Sequence, residues 1–414
     1  GEEMQDHLPV TEQKVAVGHA VRAGYMYSAM ADVAALTGNR DYRETLDALW
    51  EDVVSGKLYL TGGIGARRHH ESFGDPYELP NASAYNETCA AIANMFWNHR
   101  MFLLHGESKY MDVFERTLYN GFLSGVGMSG DRFFYPNPLA TDGQTDFNQG
   151  KKERAPWFDC SCCPVNIVRF VPSLSGYIYA QKDDSIYVNL YIGGEAEIDL
   201  PATPVTLSQE TDYPWDGKVV LTLNPDKEAA FTLKLRIPGW AAGQPVPSDL
   251  YSYEDKETAD ISIKVNGERI DSSTEDGYAI LNRSWKSGDR VEIDFPMPIR
   301  RVHAHPNVEA DQGRVALERG PIVYCAEGVD NQGHVENLVL GDDVNLLAER
   351  QPDLLNGVTV LSGTVEARVN DNSSPDGMDE IPFMAIPYHA WNHRGPCEMA
   401  VWLPENKNVA VIPE

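Results

Sequence analysis

Near residue 180 the apolar pattern of this chain changes period, and few architectures accommodate such a change. Before that point apolar residues recur at helical spacing; after it they alternate as strands require. The pattern predicts helices over 13–37, ending at Gly38, and over 41–55, where Arg43, Glu44 and Glu51 intersperse Leu46, Leu49 and Val53. It predicts an αα-hairpin over 83–104 and 108–126, joined by His105-Gly106-Glu107, and a further helix from Pro164 fading near Tyr179. Residues 58–82, with Gly62, Gly63, Gly65 and Gly74, read as loop. Alternation over 185–192, 219–223, 231–237, 261–265, 290–295, 315–325, 357–369 and 397–403 predicts antiparallel β-sandwiches, two of them for about 230 residues. The expected fold class is α+β and multidomain: a helical part over 1–182 and sandwiches over 183–300 and 301–414. About five helices are few for a domain that holds a site between hairpins. Such helices commonly belong to a larger α/α barrel, and on this view the chain begins inside one.

Composition narrows the partners. A formal net charge of −28 over 414 residues argues against nucleic acid and anionic membranes. No run of about 18 apolar residues offers a membrane span. The chain opens Gly1-Glu2-Glu3 rather than with Met, so it says little about targeting. Bacterial cytoplasm and periplasm both stay open.

Six cysteines in a chain of this size are not a disulfide framework, and their clustering points to metal or catalysis. Cys160-Ser161-Cys162-Cys163-Pro164 holds three of them, and Cys89 closes the triplet Glu87-Thr88-Cys89. Thiolates with a carboxylate form a ligand set that suits Zn²⁺. Pro164 is a natural first helical residue, so Cys162 and Cys163 stand at a helix N-terminus, where the dipole favours a thiolate. Glu87 and Cys89 are about 200° apart on an ideal helix, so both face one ion only if the helix has barely begun. The plain alternative is a set of packed thiols, the common fate of Cys. Cys160 reads as a spare ligand or a packed thiol, and Cys325 and Cys397 as core.

The loop Arg67-Arg68-His69-His70-Glu71-Ser72-Phe73 is dense in ionisable groups. Glu71 there is a candidate general acid or base, against the alternative of a solvated charged loop. Gly62-Gly63-Ile64-Gly65 lacks the Lys-Ser/Thr of a P-loop and reads as a turn. His19 in an apolar helix, Glu115 on a helix surface and Tyr135 among aromatics each have an ordinary structural reading.

At these residues the chain resembles glycoside hydrolase family 127, the bacterial β-L-arabinofuranosidases. The matching segments include Gly18-His-Ala-Val-Arg-Ala, Thr61-Gly-Gly-Ile-Gly, Tyr77-Glu-Leu-Pro-Asn, Glu87-Thr-Cys, Glu115-Arg-Thr-Leu-Tyr-Asn-Gly and Trp157-Phe-Asp-Cys-Ser-Cys-Cys-Pro-Val-Asn, with Ala385-Ile-Pro-Tyr and Trp391 near the end. The resemblance implies the C-terminal part of an (α/α)6 barrel followed by antiparallel β-sandwich domains. It implies Zn²⁺ held by Glu87, Cys89, Cys162 and Cys163, with Cys162 as nucleophile and Glu71 as general acid/base. His19, Glu115 and Tyr135 would line the sugar pocket, and the substrate would be an arabinofuranoside-containing glycan. Roughly the first half of the barrel would lie outside this chain, as removed material or as a separate polypeptide. Two alternatives stand beside this expectation. One is a related carboxylated furanoside of pectin, which a basic residue such as Arg67 or Arg68 would favour. The other is a non-catalytic carbohydrate-binding module with a structural zinc.

Overall fold

A computed structural model describes residues 1–255, 260–369 and 377–412. Five α-helices stand among the described residues: α1 (Ala20–Thr37), α2 (Arg40–Gly56), α3 (Thr88–His105), α4 (Ser108–Arg116) and α5 (Cys162–Phe170). None is long and apolar enough to cross a membrane. The helix α2 forms where Asn39 caps it, its side chain accepting from the Asp41 and Tyr42 N–H groups at 2.9 and 3.2 Å. It then buries Leu46, Leu49, Trp50 and Val53 along one face. The helices α1 and α3 approach closely because residue 24 is glycine; a Cβ there would meet Ala93 Cβ at 2.8 Å.

Helix starts differ from the pattern for local reasons that matter to the site. The helix expected over 13–37 begins at Ala20, because His19 stays extended and bridges Ser72. The helix expected over 83–104 begins at Thr88, because Asn86 has φ 40° and Glu87 is extended. The helix expected at Pro164 begins at Cys162, so both cysteines lie in its first turn, with Pro164 tolerated as the third residue. The hairpin's second arm leaves α-geometry at Thr117 and runs as a π-helical turn to Phe122.

The strands form a six-stranded, a five-stranded and an eleven-stranded sheet among the described residues. In the six-stranded sheet the strand Lys218–Pro225 buries Val219, Leu221 and Leu223. In the five-stranded sheet Ala229–Arg236 buries Phe231, Leu233 and Leu235. Each such side chain contributes up to about 1.5–3 kcal/mol on burial. Pairing is antiparallel except between Ser185–Val188 and Ala229–Arg236, which run parallel. The strand expected over 185–192 stops at Val188, where buried Asn189 turns to other partners: its carbonyl accepts from Arg236 Nε and its Oδ1 from the Tyr278 hydroxyl. The run 315–325 is two strands, Arg314–Arg319 and Ile322–Glu327, turned at Gly320-Pro321. The eleven-stranded sheet also takes in Ala140–Asp142 from the helical part, paired with Glu398–Ala400.

Buried charges tie the helices to the sheets. On α4, Asp112 and Glu115 pair with Arg236 of the five-stranded sheet, and Arg116 pairs with Glu318 of the eleven-stranded one. Removing one partner of such a pair costs about 3–5 kcal/mol, because a buried charge is left uncompensated.

Asp311 is a second tie. It is buried, and Asn81 Nδ2 donates to its Oδ1 at 2.8 Å. Burial pushes this carboxyl up to about 7. A carboxyl raised above its unfolded value stabilises the fold as the acid; that contribution is present below about pH 4 and is lost as the pH rises through 7. Asp311→Asn is therefore expected to raise the melting temperature above pH 7 relative to the parent protein, with the difference shrinking toward pH 4. Melting curves across that range check it.

Candidate active site

Two helix N-termini converge here. Glu87 is the N-cap of α3, with φ −57° and ψ 138°, and its side chain makes no capping bond. Its non-helical backbone lets Glu87 and Cys89 face the same point. Cys162 and Cys163 are the first two residues of α5. Both helix dipoles thus present their positive ends to the sulfurs.

The four side chains meet closely. Cys89 Sγ lies 3.5 Å from Cys163 Sγ, which lies 3.9 Å from Cys162 Sγ. Glu87 Oε1 is 3.4 Å from Cys162 Sγ and 3.5 Å from Cys163 Sγ. One ligand atom from each lies within 4.8 Å of all the others, a group of donors that suits a metal ion. Glu87, Cys89 and Cys163 are buried, whereas Cys162 is only partly so. Glu87 Oε2 is buried with no hydrogen-bond partner. Such an orphan in a protein interior calls for an explanation, and an ion is one.

Charge supports the same point. Burial pushes Glu87 and Cys163 above their ordinary ranges. Cys89 is also raised, chiefly through its hydrogen bond with Cys162. Cys162 is instead held far below the thiol range, chiefly by its contacts with Cys163 and Cys89. Four acids crowded together, three of them buried, resist ionising at once. A dication would remove that conflict.

Glu71 stands beside the cluster on a tight loop. Arg67 and Ser72 exchange two backbone hydrogen bonds of 3.0 Å, and Phe73 N–H donates to Gly18 O at 2.9 Å. His70 and Glu71 sit at the apex with φ 56° and 50°, a left-handed conformation that is costly for such residues. His19 Nε2 is 2.8 Å from Glu71 Oε2. The Tyr85 and Tyr135 hydroxyls donate to Glu71 Oε1 at 2.8 and 3.3 Å. Glu71 is held below the usual carboxyl range, first by the hydrogen bond with His19 and then by that from Tyr85; partial burial opposes them. The Tyr135 hydroxyl also lies 3.0 Å from Cys162 Sγ, so it touches both the carboxyl and the sulfur. Tyr135 is fixed through its backbone: Thr88 N–H donates to its carbonyl at 2.9 Å, and its own N–H donates to Asn148 Oδ1 at 2.8 Å.

Of the expected site residues, the fold brings together His19, Glu71, Glu87, Cys89, Tyr135, Cys162 and Cys163. It does not bring Glu115 to them. Glu115 is buried against Arg236 and accepts from the Tyr213 hydroxyl at 2.8 Å. Arg67 is likewise committed elsewhere, to Asp75 and Glu78. Residue 62 is glycine for space rather than for phosphate; a Cβ there would meet Thr117 Oγ1 at 2.5 Å. Cys160 is exposed, 4.0 Å from the Tyr135 hydroxyl. Sequence reasoning missed Tyr85 and Gln149, whose Nε2 donates to the Tyr85 hydroxyl at 3.2 Å. Nothing local distinguishes Tyr85 among 19 tyrosines.

A thiol–carboxylate cluster that could hold a metal stands beside a hydrogen-bonded glutamate, on helices braced by largely antiparallel sheets, in a multidomain α+β protein. Three family models match in order: the β-L-arabinofuranosidase GH127 catalytic domain over residues 1–176, the GH127 middle domain over 185–297 and the glycoside hydrolase family 127 C-terminal domain over 299–404. The chain belongs to glycoside hydrolase family 127. A curated relative, the non-reducing end β-L-arabinofuranosidase of Bifidobacterium longum subsp. longum, is 35% identical over 95% of this chain. A solved GH127 β-arabinofuranosidase matches 100% of the chain with TM-score 0.95 and 48% identity. The crystal structure of a GH127 β-L-arabinofuranosidase from Geobacillus stearothermophilus T6 matches 98% with TM-score 0.90 and 43% identity. The chain spans 60% of the length of the curated relative, and 64% and 63% of the two solved structures.

Proposed function

We propose that this chain carries the catalytic groups of a retaining glycoside hydrolase that releases β-L-arabinofuranose from glycans. Cys162 is the nucleophile and Glu71 the acid/base. One observation carries this most: of the three cluster thiols, Cys162 alone is partly accessible, and its sulfur shares the Tyr135 hydroxyl with Glu71. A purely structural metal site would not require a carboxyl group beside its most accessible sulfur.

Zinc fits the cluster. Tetrahedral zinc, with Zn–S of about 2.3 Å and Zn–O of about 2.0 Å, spaces its sulfurs about 3.8 Å apart and sulfur from oxygen about 3.5 Å. The sulfurs stand 3.5 and 3.9 Å apart, and sulfur and oxygen 3.4 and 3.5 Å. Glu87, Cys89, Cys162 and Cys163 would hold the ion, which would keep the cluster's thiols ionised at neutral pH.

In the first step Cys162 Sγ attacks the anomeric carbon, and the bond to the leaving oxygen breaks as Glu71 gives that oxygen its proton. In the second, Glu71 takes a proton from water, whose oxygen displaces the sulfur from the same carbon. Two inversions leave the anomeric configuration unchanged. The acid role needs a protonated Glu71, although His19 and Tyr85 favour its anion in the free site. A bound sugar that excludes water raises a carboxyl. His19 and Tyr135 are the proposed sugar-facing partners, and Glu115 is left to the domain interface. The neutral sugar is favoured over a carboxylated one because the cluster is acidic; Arg67 is already ion-paired, and Arg68 is exposed and reaches the Phe147 carbonyl.

The helical part has an apolar face to cover. Trp157, Val165, Val168 and Val171 are exposed along and beside α5, and Leu36 on α1. Further helices of an (α/α)6 barrel, on the same polypeptide or on a partner, would bury them.

The test is the release of arabinose from a β-L-arabinofuranoside, with its anomer read by NMR before it equilibrates. Release of the β-anomer supports the proposal; the α-anomer, or binding without cleavage, contradicts it. For the metal, removing zinc with a chelator is expected to lower the melting temperature by about 5 °C, corresponding to about 4 kcal/mol at a thousandfold excess over Kd. Zinc should restore it, and an unchanged melting curve after complete removal would contradict a zinc-built cluster.

A further inference from the structure

We propose that Tyr85, backed by Gln149, is the positioning residue for Glu71: its hydroxyl holds one carboxyl oxygen and so fixes the direction in which the acid is presented. This rests on the hydrolase proposal above.

Glu71 follows another left-handed residue at the apex of its hydrogen-bonded loop. Its two oxygens are treated differently. Oε2 faces only His19 Nε2 among the described contacts, at 2.8 Å. Oε1 takes the hydroxyls of Tyr85 and Tyr135.

Those two hydroxyls are not equivalent. Tyr135 has the Cys162 sulfur closer than the carboxyl, at 3.0 against 3.3 Å, so its contact with Glu71 competes with another. Tyr85 has no such choice. Gln149 Nε2 donates to its oxygen, and an amide NH₂ cannot accept. A phenol has one proton, so that proton goes to Glu71 Oε1, at 2.8 Å. Tyr85 is also fixed at its backbone: its N–H donates to Ala66 O at 3.1 Å, and its carbonyl accepts from Asn137 N–H at 3.0 Å. Gln149 sits at φ 51°, a second strained residue aimed at this chain of hydrogen bonds.

The Tyr85 bond and the His19 contact thus hold opposite oxygens of Glu71, and the carboxyl cannot rotate without breaking both. Without the Tyr85 hydroxyl the carboxyl keeps only His19 and the shared Tyr135 hydroxyl, so fewer bound substrates meet a correctly aimed acid.

The experiment compares kcat/KM of the parent protein and Tyr85→Phe on two arabinofuranosides. One has an alkyl leaving group, which must be protonated to depart. The other has a p-nitrophenyl group, which departs unassisted. The expected result is a loss of at least about tenfold on the alkyl substrate and less than about threefold on the aryl one. Gln149 is exposed, so Gln149→Leu leaves the core untouched; it should show the same split at smaller size, and it serves if Tyr85→Phe fails to fold. Equal losses on both substrates would mean Tyr85 only supports the fold, and no loss would mean it does not hold Glu71. Either overturns this inference and leaves the hydrolase proposal standing. No turnover of either substrate by the parent protein removes both.

Discussion

Cys162→Ser is expected to cut kcat by at least about a thousandfold while the helices and sheets stay folded. A serine hydroxyl is not ionised near neutral pH, so the group that attacks the anomeric carbon is gone even if the oxygen occupies the place of the sulfur. The change is small in volume at a position only partly buried. The two fully buried thiols and the Glu87 carboxyl remain to hold metal, more weakly than before. The check is turnover together with zinc content per chain. Full turnover with zinc retained would remove Cys162 from the chemistry and make the cluster a structural staple.

Glu71→Gln has the second-largest expected effect, a loss of about 10²–10⁴ in kcat/KM on a substrate with an alkyl leaving group. The amide matches the carboxyl in shape and keeps an oxygen that can accept from Tyr85. It has no proton to give to the departing oxygen and cannot take one from water. An aryl substrate should form the sulfur-linked intermediate at close to the normal rate and then stall, because the second step also needs Glu71. A burst of one equivalent of phenol followed by near-silence is the expected trace. Steady turnover at the parent rate would show that Glu71 is not the acid/base.

The parts of this site visible in the sequence were those whose chemistry is local. Two adjacent cysteines before a proline are a helix start with two thiols, whatever surrounds them. Glu87 and Cys89 face the same point because Glu87 is still outside the helix, the condition that the spacing itself demanded. Glu71 stood out as a carboxyl in a charged loop, although the feature that selects it, the contact with His19, exists only because residues 18 and 19 pair with 72 and 73. Glu115 shows the limit. On a helix surface it reads equally as site or solvent, and its partner Arg236 lies 121 residues away. Tyr85 and Gln149 were invisible for the same reason, since a hydroxyl gains its role from what it touches.

The β region shows the same division. Alternation located strands such as Lys218–Pro225, Asp289–Asp294 and Val358–Arg368. It missed Gly194–Asp199, where only Ala196 and Ile198 alternate with the acidic Glu195, Glu197 and Asp199, so the apolar signal is weak. It carried no information on strand direction, which is why the parallel pair of Ser185–Val188 with Ala229–Arg236 was not expected.

The most direct measurement is a mass spectrum of the Glu71→Gln protein taken after mixing with an activated β-L-arabinofuranoside, followed by peptide mapping. A retaining mechanism through sulfur predicts a mass increase of one dehydrated pentosyl unit, carried by the peptide that contains Cys162. Phenol release with no adduct, or an adduct on a different residue, would contradict the claim that Cys162 is the nucleophile.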